Sequence, residues 1–175
     1  MEQQKSGWAM AFKWAIIIAL VNFIYTLLLY AAKLHTNKAL GWIGFVLSFI
    51  GLLMCMTQRR NKELGGFISY GEGFRTGLKC TLIYSVIGTV LFFIFIQFIA
   101  TDYVATILQE AENKMMEKGL PDDQIEMAMN ITKKFVSPGM MVVWGLVMGF
   151  LGGLILSLIA AAIAKKESTQ LPQPQ

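Results

Sequence analysis

RRNKELGGFISYGEGFRTGLK, residues 59–79, separates two long apolar blocks and carries five of the chain's fifteen Lys and Arg residues. Its reading decides the fold, because basic residues between apolar blocks set how a chain lies across a bilayer. Outward from it, the apolar residues gather into four long blocks in a 175-residue chain that is 55% apolar and 15% charged. A hydrocarbon layer about 30 Å thick needs roughly 20 apolar residues per helix, at about 1.5 Å each. The sequence therefore predicts an all-α integral membrane bundle of four transmembrane helices, with spans near 14–32, 39–57, 80–101 and 140–164 in one domain over 1–166. The first block exceeds the 7 to 15 apolar residues of a cleaved signal segment, so it is read as a span. The polar, proline-bearing tail 167–175 is expected to be disordered.

If residues 67–79 are helical, Glu72, Arg75, Thr76 and Lys79 share one face while Phe67, Tyr70, Phe74 and Leu78 lie opposite. That pattern predicts a cytoplasmic amphipathic connector over 59–79, ending in an interfacial helix. Five glycines (65, 66, 71, 73 and 77) weaken it and leave a partly open turn as the other reading. Glu72 and Arg75 are spaced for a surface ion pair of about 0.2–0.5 kcal/mol.

The spans carry stripes of small and polar residues that should face protein, not lipid. They are Ala15, Ala19, Asn22 and Thr26 in the first span and Gly41, Gly44, Ser48, Gly51 and Cys55 in the second. In the third span Ser85, Gly88 and Thr89 are the small positions, and in the fourth Gly145, Gly149, Gly153, Ser157 and Ala161 recur every four residues as overlapping GxxxG units. Asn22 and Gln97 are the strongly polar intramembrane residues; Asn22 lies roughly 12 Å into its span and Gln97 roughly 25 Å, which places Asn22 nearer Ser85 and Thr89. An interhelical hydrogen bond is the expected role of each.

Residues 102–137 change character, with seven acidic against four basic residues and a break at Lys118-Gly119-Leu120-Pro121. The spacing predicts an extracytoplasmic amphipathic hairpin between helices 3 and 4. Val104, Ile107, Leu108, Ala111 and Met115 make one apolar stripe; Ile125, Ala128, Met129, Thr132 and Phe135 make the second. Asp123 and Glu126 are spaced as a capping box.

Four spans place both termini and the connector on one side. That side holds nine basic residues, Lys5, Lys13, Arg59, Arg60, Lys62, Arg75, Lys79, Lys165 and Lys166, against six on the other. The positive-inside rule predicts cytoplasmic termini. The net charge of +4 lies at the ends of apolar blocks, where headgroups account for it, so no nucleic-acid partner is expected.

Around SYGEGFRTG, residues 69–77, the chain resembles an uncharacterised four-helix membrane family of Bacteroidota-type bacteria, domain of unknown function 4199. The similarity covers roughly residues 8–165, with Tyr70, Gly71, Glu72, Phe74 and Gly77 belonging to the motif and Gly73 and Arg75 as substitutions within it. The resemblance implies a bacterial inner-membrane protein and brings no activity or cofactor.

The span cores hold no ionisable residue, which speaks against ion-coupled transport and intramembrane proteolysis, and no catalytic constellation or cofactor motif points to an enzyme. Cys55 and Cys80 are expected as reduced thiols, His35 as a solvated loop residue, and no spacing suggests a metal or cofactor. The sequence thus points to a noncatalytic interaction or accessory component. It would dock a membrane-protein partner, or a second copy, through the hairpin and the connector. The alternative is an uncoupled channel or facilitator lined by Asn22, Ser48, Ser85 and Thr89.

Overall fold

A computed structural model describes residues 7–35 and 37–166. Lys5 and the tail 167–175 lie outside the described residues. Six α-helices account for nearly all of the rest: α1 (Trp8–Ala31), α2 (Lys38–Glu63), α3 (Tyr70–Ile94), α4 (Tyr103–Glu117), α5 (Asp122–Phe135) and α6 (Pro138–Ala164). Four stretches, Trp8–Ala31, Ala39–Glu63, Tyr70–Ile99 and Pro138–Ala164, are long and apolar enough to cross a membrane. Their outward faces are those of a protein solvated by hydrocarbon: Ile24, Leu28, Trp42, Val86, Phe98, Ile155 and Ile163 are all exposed.

The helices close a ring in the order α1, α3, α6, α2, and α2 and α3 also meet across its middle. The small-residue stripes turn inward over most of their length, with Gly41 and Gly145 left exposed at the ends nearer the hairpin. Ala15 and Ala19 are buried with Ile18 on α1, and Ser48, Gly51 and Cys55 are buried on α2. Gly51 lets the α2 backbone approach Ile18, whose side chain occupies the space a Cβ would need.

The connector departs from expectation. α2 continues through Glu63 and α3 already starts at Tyr70, so only residues 64–69 are non-helical, and no separate surface helix precedes the third span. The glycines at 71, 73 and 77 do not break α3, because Gly73 and Gly77 sit where α6 comes close: a Cβ on Gly73 would lie 3.5 Å from the Ala161 Cα. Thr76, expected on the outer polar face, is fully buried, and its helix is started by Ser69, whose hydroxyl accepts from the Glu72 N–H at 3.3 Å and donates to its carboxylate at 3.4 Å. The S-x-x-E spacing is that of a capping box, with the Ser69 hydroxyl rather than its N–H donating to the carboxylate. This contact engages Glu72 in place of the expected ion pair with Arg75. The turn before it uses positive φ at Gly65 (64°) and Gly66 (94°), a region open to glycine.

At its far end α3 passes into a π-helical turn, Phe95–Ile99, closed by Ala100 N–H to Phe95 C=O at 2.8 Å. The wider turn aims Phe95 and Ile96 inward and leaves Gln97 exposed, so Gln97 makes no interhelical hydrogen bond among the described residues.

α4 and α5 form the helical hairpin and pack chiefly on each other. Ile125 and Met129 are buried between them. Phe135 leaves the buried part of its stripe, and one expectation fails. Phe135 points outward, 51% exposed, and α5 begins after Pro121 with no side-chain cap, so Asp123 and Glu126 form no capping box.

Candidate functional site

Two regions concentrate polar groups inside the bundle. The first lies at the end that collects Gly7, the 64–69 loop and the C-terminus of α6. Among the described residues this end carries eight basic residues against Glu63 and Glu72. Seven of the eight are wholly or partly in solvent, whereas Arg59 is 7% exposed. Its guanidinium donates to the Thr76 hydroxyl, which in turn donates to the Glu72 carbonyl at 2.7 Å. Glu63, one turn along α2, stands 3.7 Å from Arg59 Nε. Gly7, at φ 66°, closes over the group; a Cβ there would lie 2.8 Å from Arg59 Nε. Arg59 thus ties α2 to α3 under the start of α1. Around it Trp14 donates to Gln58 at 2.8 Å, Arg60 donates to the Ala164 carbonyl at 3.0 Å, and Ile68 and Lys166 exchange backbone bonds at 2.9 and 3.0 Å. Lys79 sits over the Trp8 ring at 4.9 Å.

Sequence reasoning passed over Arg59, although a signal was present. The α2 stripe Gly44, Ser48, Gly51, Cys55 reaches Arg59 after one more turn. Of the motif residues, Gly77 is buried, Glu72 and Phe74 are half-buried, and Tyr70, Gly71 and Arg75 are exposed. The motif's buried part is therefore the glycine–threonine face that receives α6 and Arg59, and its exposed part is a mixed surface.

Between this end and the middle, the bundle is filled. Ala11, Ala15, Cys55, Met56, Cys80, Ala160 and Ala161 have no exposed surface, and both cysteines are free thiols. Gly153 and Ser157 continue that contact: Ser157 and Thr81 hydroxyls are 3.1 Å apart, and a Cβ on Gly153 would lie 3.0 Å from Thr81 Oγ1. One turn further, a Cβ on Gly149 would be 4.0 Å from Ser85 Cβ, and on Gly145 nothing lies within 4 Å. α6 therefore diverges from α3 as it approaches the hairpin, and the four-residue ladder divides into a closed and an open half.

The second region is the space this divergence leaves. A cavity of about 310 Å³ lies between α1, α3 and α6 in the half nearer the hairpin. Asn22, Thr26, Ser85 and Thr89 line it, together with Phe23, Phe92, Gly145 and Gly149. Ser48, the other expected lining residue, stands behind Asn22. Its hydroxyl donates to the Gly44 carbonyl at 2.9 Å and accepts from Asn22 Nδ2 at 3.2 Å. Because its one proton is used, the 3.3 Å contact with Tyr84 has the tyrosine donating.

Aromatic rings cap the cavity's outer end. Phe95, fully buried, meets Tyr30 and Tyr103 edge-on at 5.4 and 5.7 Å, and the Tyr30 hydroxyl donates to Asp102 at 2.5 Å. Burial pushes the Tyr103 phenol above its ordinary value. His35 is not solvated as expected. Its ring lies 5.4 Å from each of Tyr30 and Tyr103, which cut both ring nitrogens off from solvent.

The profile of a family described as "Protein of unknown function (DUF4199)" matches residues 13–166. The chain belongs to this family. The DUF4199 match includes all four long apolar helices from Lys13 onward, the hairpin and the 69–77 motif. No curated protein and no solved structure matches the chain.

Proposed function

We propose that this DUF4199 chain is a noncatalytic inner-membrane protein with both termini in the cytoplasm, which docks a membrane-protein partner through its outward hairpin. One observation carries the reading. Met127, Ile131 and Phe135, successive at i, i+4 and i+8 on α5, are 69%, 59% and 51% exposed on a hairpin that packs chiefly on itself. A row of this kind fits helix-in-groove recognition, and methionine adapts to irregular partner surfaces. Seven acidic against four basic residues on the hairpin favour a protein over an anionic lipid surface as the occupant. The eight basic residues of the opposite end support its placement in the cytoplasm.

The experiment is chemical cross-linking in native membranes, followed by purification and mass spectrometry of what is attached. Met127→Glu with Ile131→Glu should abolish a stoichiometric cross-linked product while the bundle stays folded. Cross-links unchanged after deletion of residues 104–135 would defeat the reading. Recovery of self-linked copies alone would make the partner a second copy.

A second reading, an uncoupled facilitator, is favoured by the cavity with Asn22, Ser85 and Thr89 on its wall. The filled half between the cavity and the basic end means that passage through one bundle requires α6 to move. Reconstituted vesicles with no flux of small solutes would exclude it.

A further inference from the structure

The cavity between α1, α3 and α6 is lined by polar residues whose hydrogen-bonding atoms are turned elsewhere. The Asn22 amide nitrogen donates to Ser48 on α2 at 3.2 Å and to the Ile18 carbonyl at 3.0 Å, and its oxygen lies against Gly44 on α2, where a Cβ would stand 3.2 Å from it. The Thr26 and Ser85 hydroxyls donate back along their own helices, to the Asn22 and Leu82 carbonyls at 2.9 and 3.0 Å. Thr89, one turn after Ser85, is spaced for the same kind of bond. The Tyr84 hydroxyl meets Ser48 at 3.3 Å. What remains for an occupant is the carbon of Phe23, Leu91, Phe92 and Phe95 and the bare backbone of Gly145 and Gly149, and no lining residue carries a charge.

A polar occupant would lose its hydration and meet donors already engaged. Apolar cavities of about 150 Å³ stay dry and take up apolar molecules, and this one measures about 310 Å³. Shape narrows the choice. From Tyr84 to Phe95 the lining runs about 16 Å along α3, so the cavity is long in the direction in which lipid tails run. A helix of that length, about 10 Å across, would fill about 1,200 Å³, so no partner helix fits. The way in is the seam where α6 leaves α3. The two helices are tight at Gly153 and Thr81, a Cβ on Gly149 would stand 4.0 Å from Ser85 Cβ, and Gly145 is exposed with nothing within 4 Å of a Cβ. Because α3 and α6 are neighbours in a ring of spanning helices, what lies outside their seam is bilayer. We propose that one acyl tail of a phospholipid, from the leaflet on the hairpin side, enters through this seam and fills the cavity.

The test uses the full chain reconstituted in vesicles of phosphatidylethanolamine and phosphatidylglycerol, doped with a phosphatidylcholine that carries a diazirine at mid-tail. Labelled residues are mapped by mass spectrometry. Ser85 and Thr89, inside the cavity, should be labelled along with the lipid-facing Ile24, Val86 and Ile155. Gly145→Leu, at a position where a Cβ meets no neighbour, should occupy the seam and remove the label from Ser85 and Thr89. Gly149→Leu should do the same from deeper in the cavity. Label retained at Ile24, Val86 and Ile155 shows that both variants are folded and in contact with the probe. Native mass spectrometry of the chain extracted from its own membrane should find one retained phospholipid, lost in Gly145→Leu. Absence of label at Ser85 and Thr89 in the parent protein, or label there that survives both leucine substitutions, would overturn the proposal. So would an isoprenoid lipid retained in place of the phospholipid.

Discussion

The motif glycines should respond to alanine with opposite signs, although they lie within seven residues of one another. At Gly77 a Cβ would meet Ser157 Oγ at 2.8 Å and Ser157 Cβ at 2.9 Å, besides the flexible end of Met56. Ordinary contact begins at 3.4 Å, so α6 must withdraw by about half an ångström, and the tight contact at Gly153–Thr81 loosens with it. Overpacking of this kind costs about 1–3 kcal/mol. At Gly71 nothing lies within 4 Å of a Cβ and the residue is helical, so Gly71→Ala should stabilise by about 0.5 kcal/mol through a smaller loss of backbone entropy. Gly73→Ala should be nearly neutral, since its nearest contact is Ala161 Cβ at 3.4 Å. The assay is unfolding in mixed micelles by detergent titration, followed by tryptophan fluorescence. Adding Ser157→Gly to Gly77→Ala should recover at least about 1 kcal/mol, as expected for side chains in direct contact. A Gly77→Ala protein as stable as its parent, or shifts of the same sign at Gly71 and Gly77, would refute the reasoning.

Arg59→Leu should destabilise by about 3 kcal/mol, because it leaves Glu63 and Thr76 facing an apolar side chain; Arg59→Leu with Glu63→Leu should recover at least half of that in the same titration. Ser69→Ala should cost about 1 kcal/mol by removing the cap of α3, and Ser69→Asp should largely restore it. For orientation, Asn61→Cys should react with a membrane-impermeant maleimide only after the inner face is exposed, and Asp122→Cys in intact cells. Cys55 and Cys80, both 0% exposed, should stay silent in either test. Labelling of Asn61→Cys from outside would reverse the proposed topology.

Much of the fold was legible in the sequence because a bilayer imposes simple rules. Four apolar blocks, a hairpin broken at Gly119 and Pro121, and an even number of crossings all follow from length and periodicity. Two of the differences share a cause. Breaking the third span at Lys79 put Thr76 on a surface face, whereas Gly73, Thr76, Gly77, Cys80 and Thr81 continue a single inward stripe. Ending the second stripe at Cys55 concealed Arg59 in the same way. Charge signalled solvent in both cases, but a guanidinium with Thr76 and Glu63 beside it can be buried at a helix end. His35 was misread because its neighbours Tyr30 and Tyr103 lie far from each other in sequence.

What the sequence alone determined is the set of elements and their inward faces: which residues span, which helices pair by short loops, and which side of each is bare. The tertiary structure decided which bare faces meet and for how long. A run of small residues permits close approach but carries no information about crossing angle. Gly145, Gly149, Gly153 and Ser157 are alike in sequence, yet the line of α6 against α3 makes the last two a tight contact and the first two the wall of a cavity.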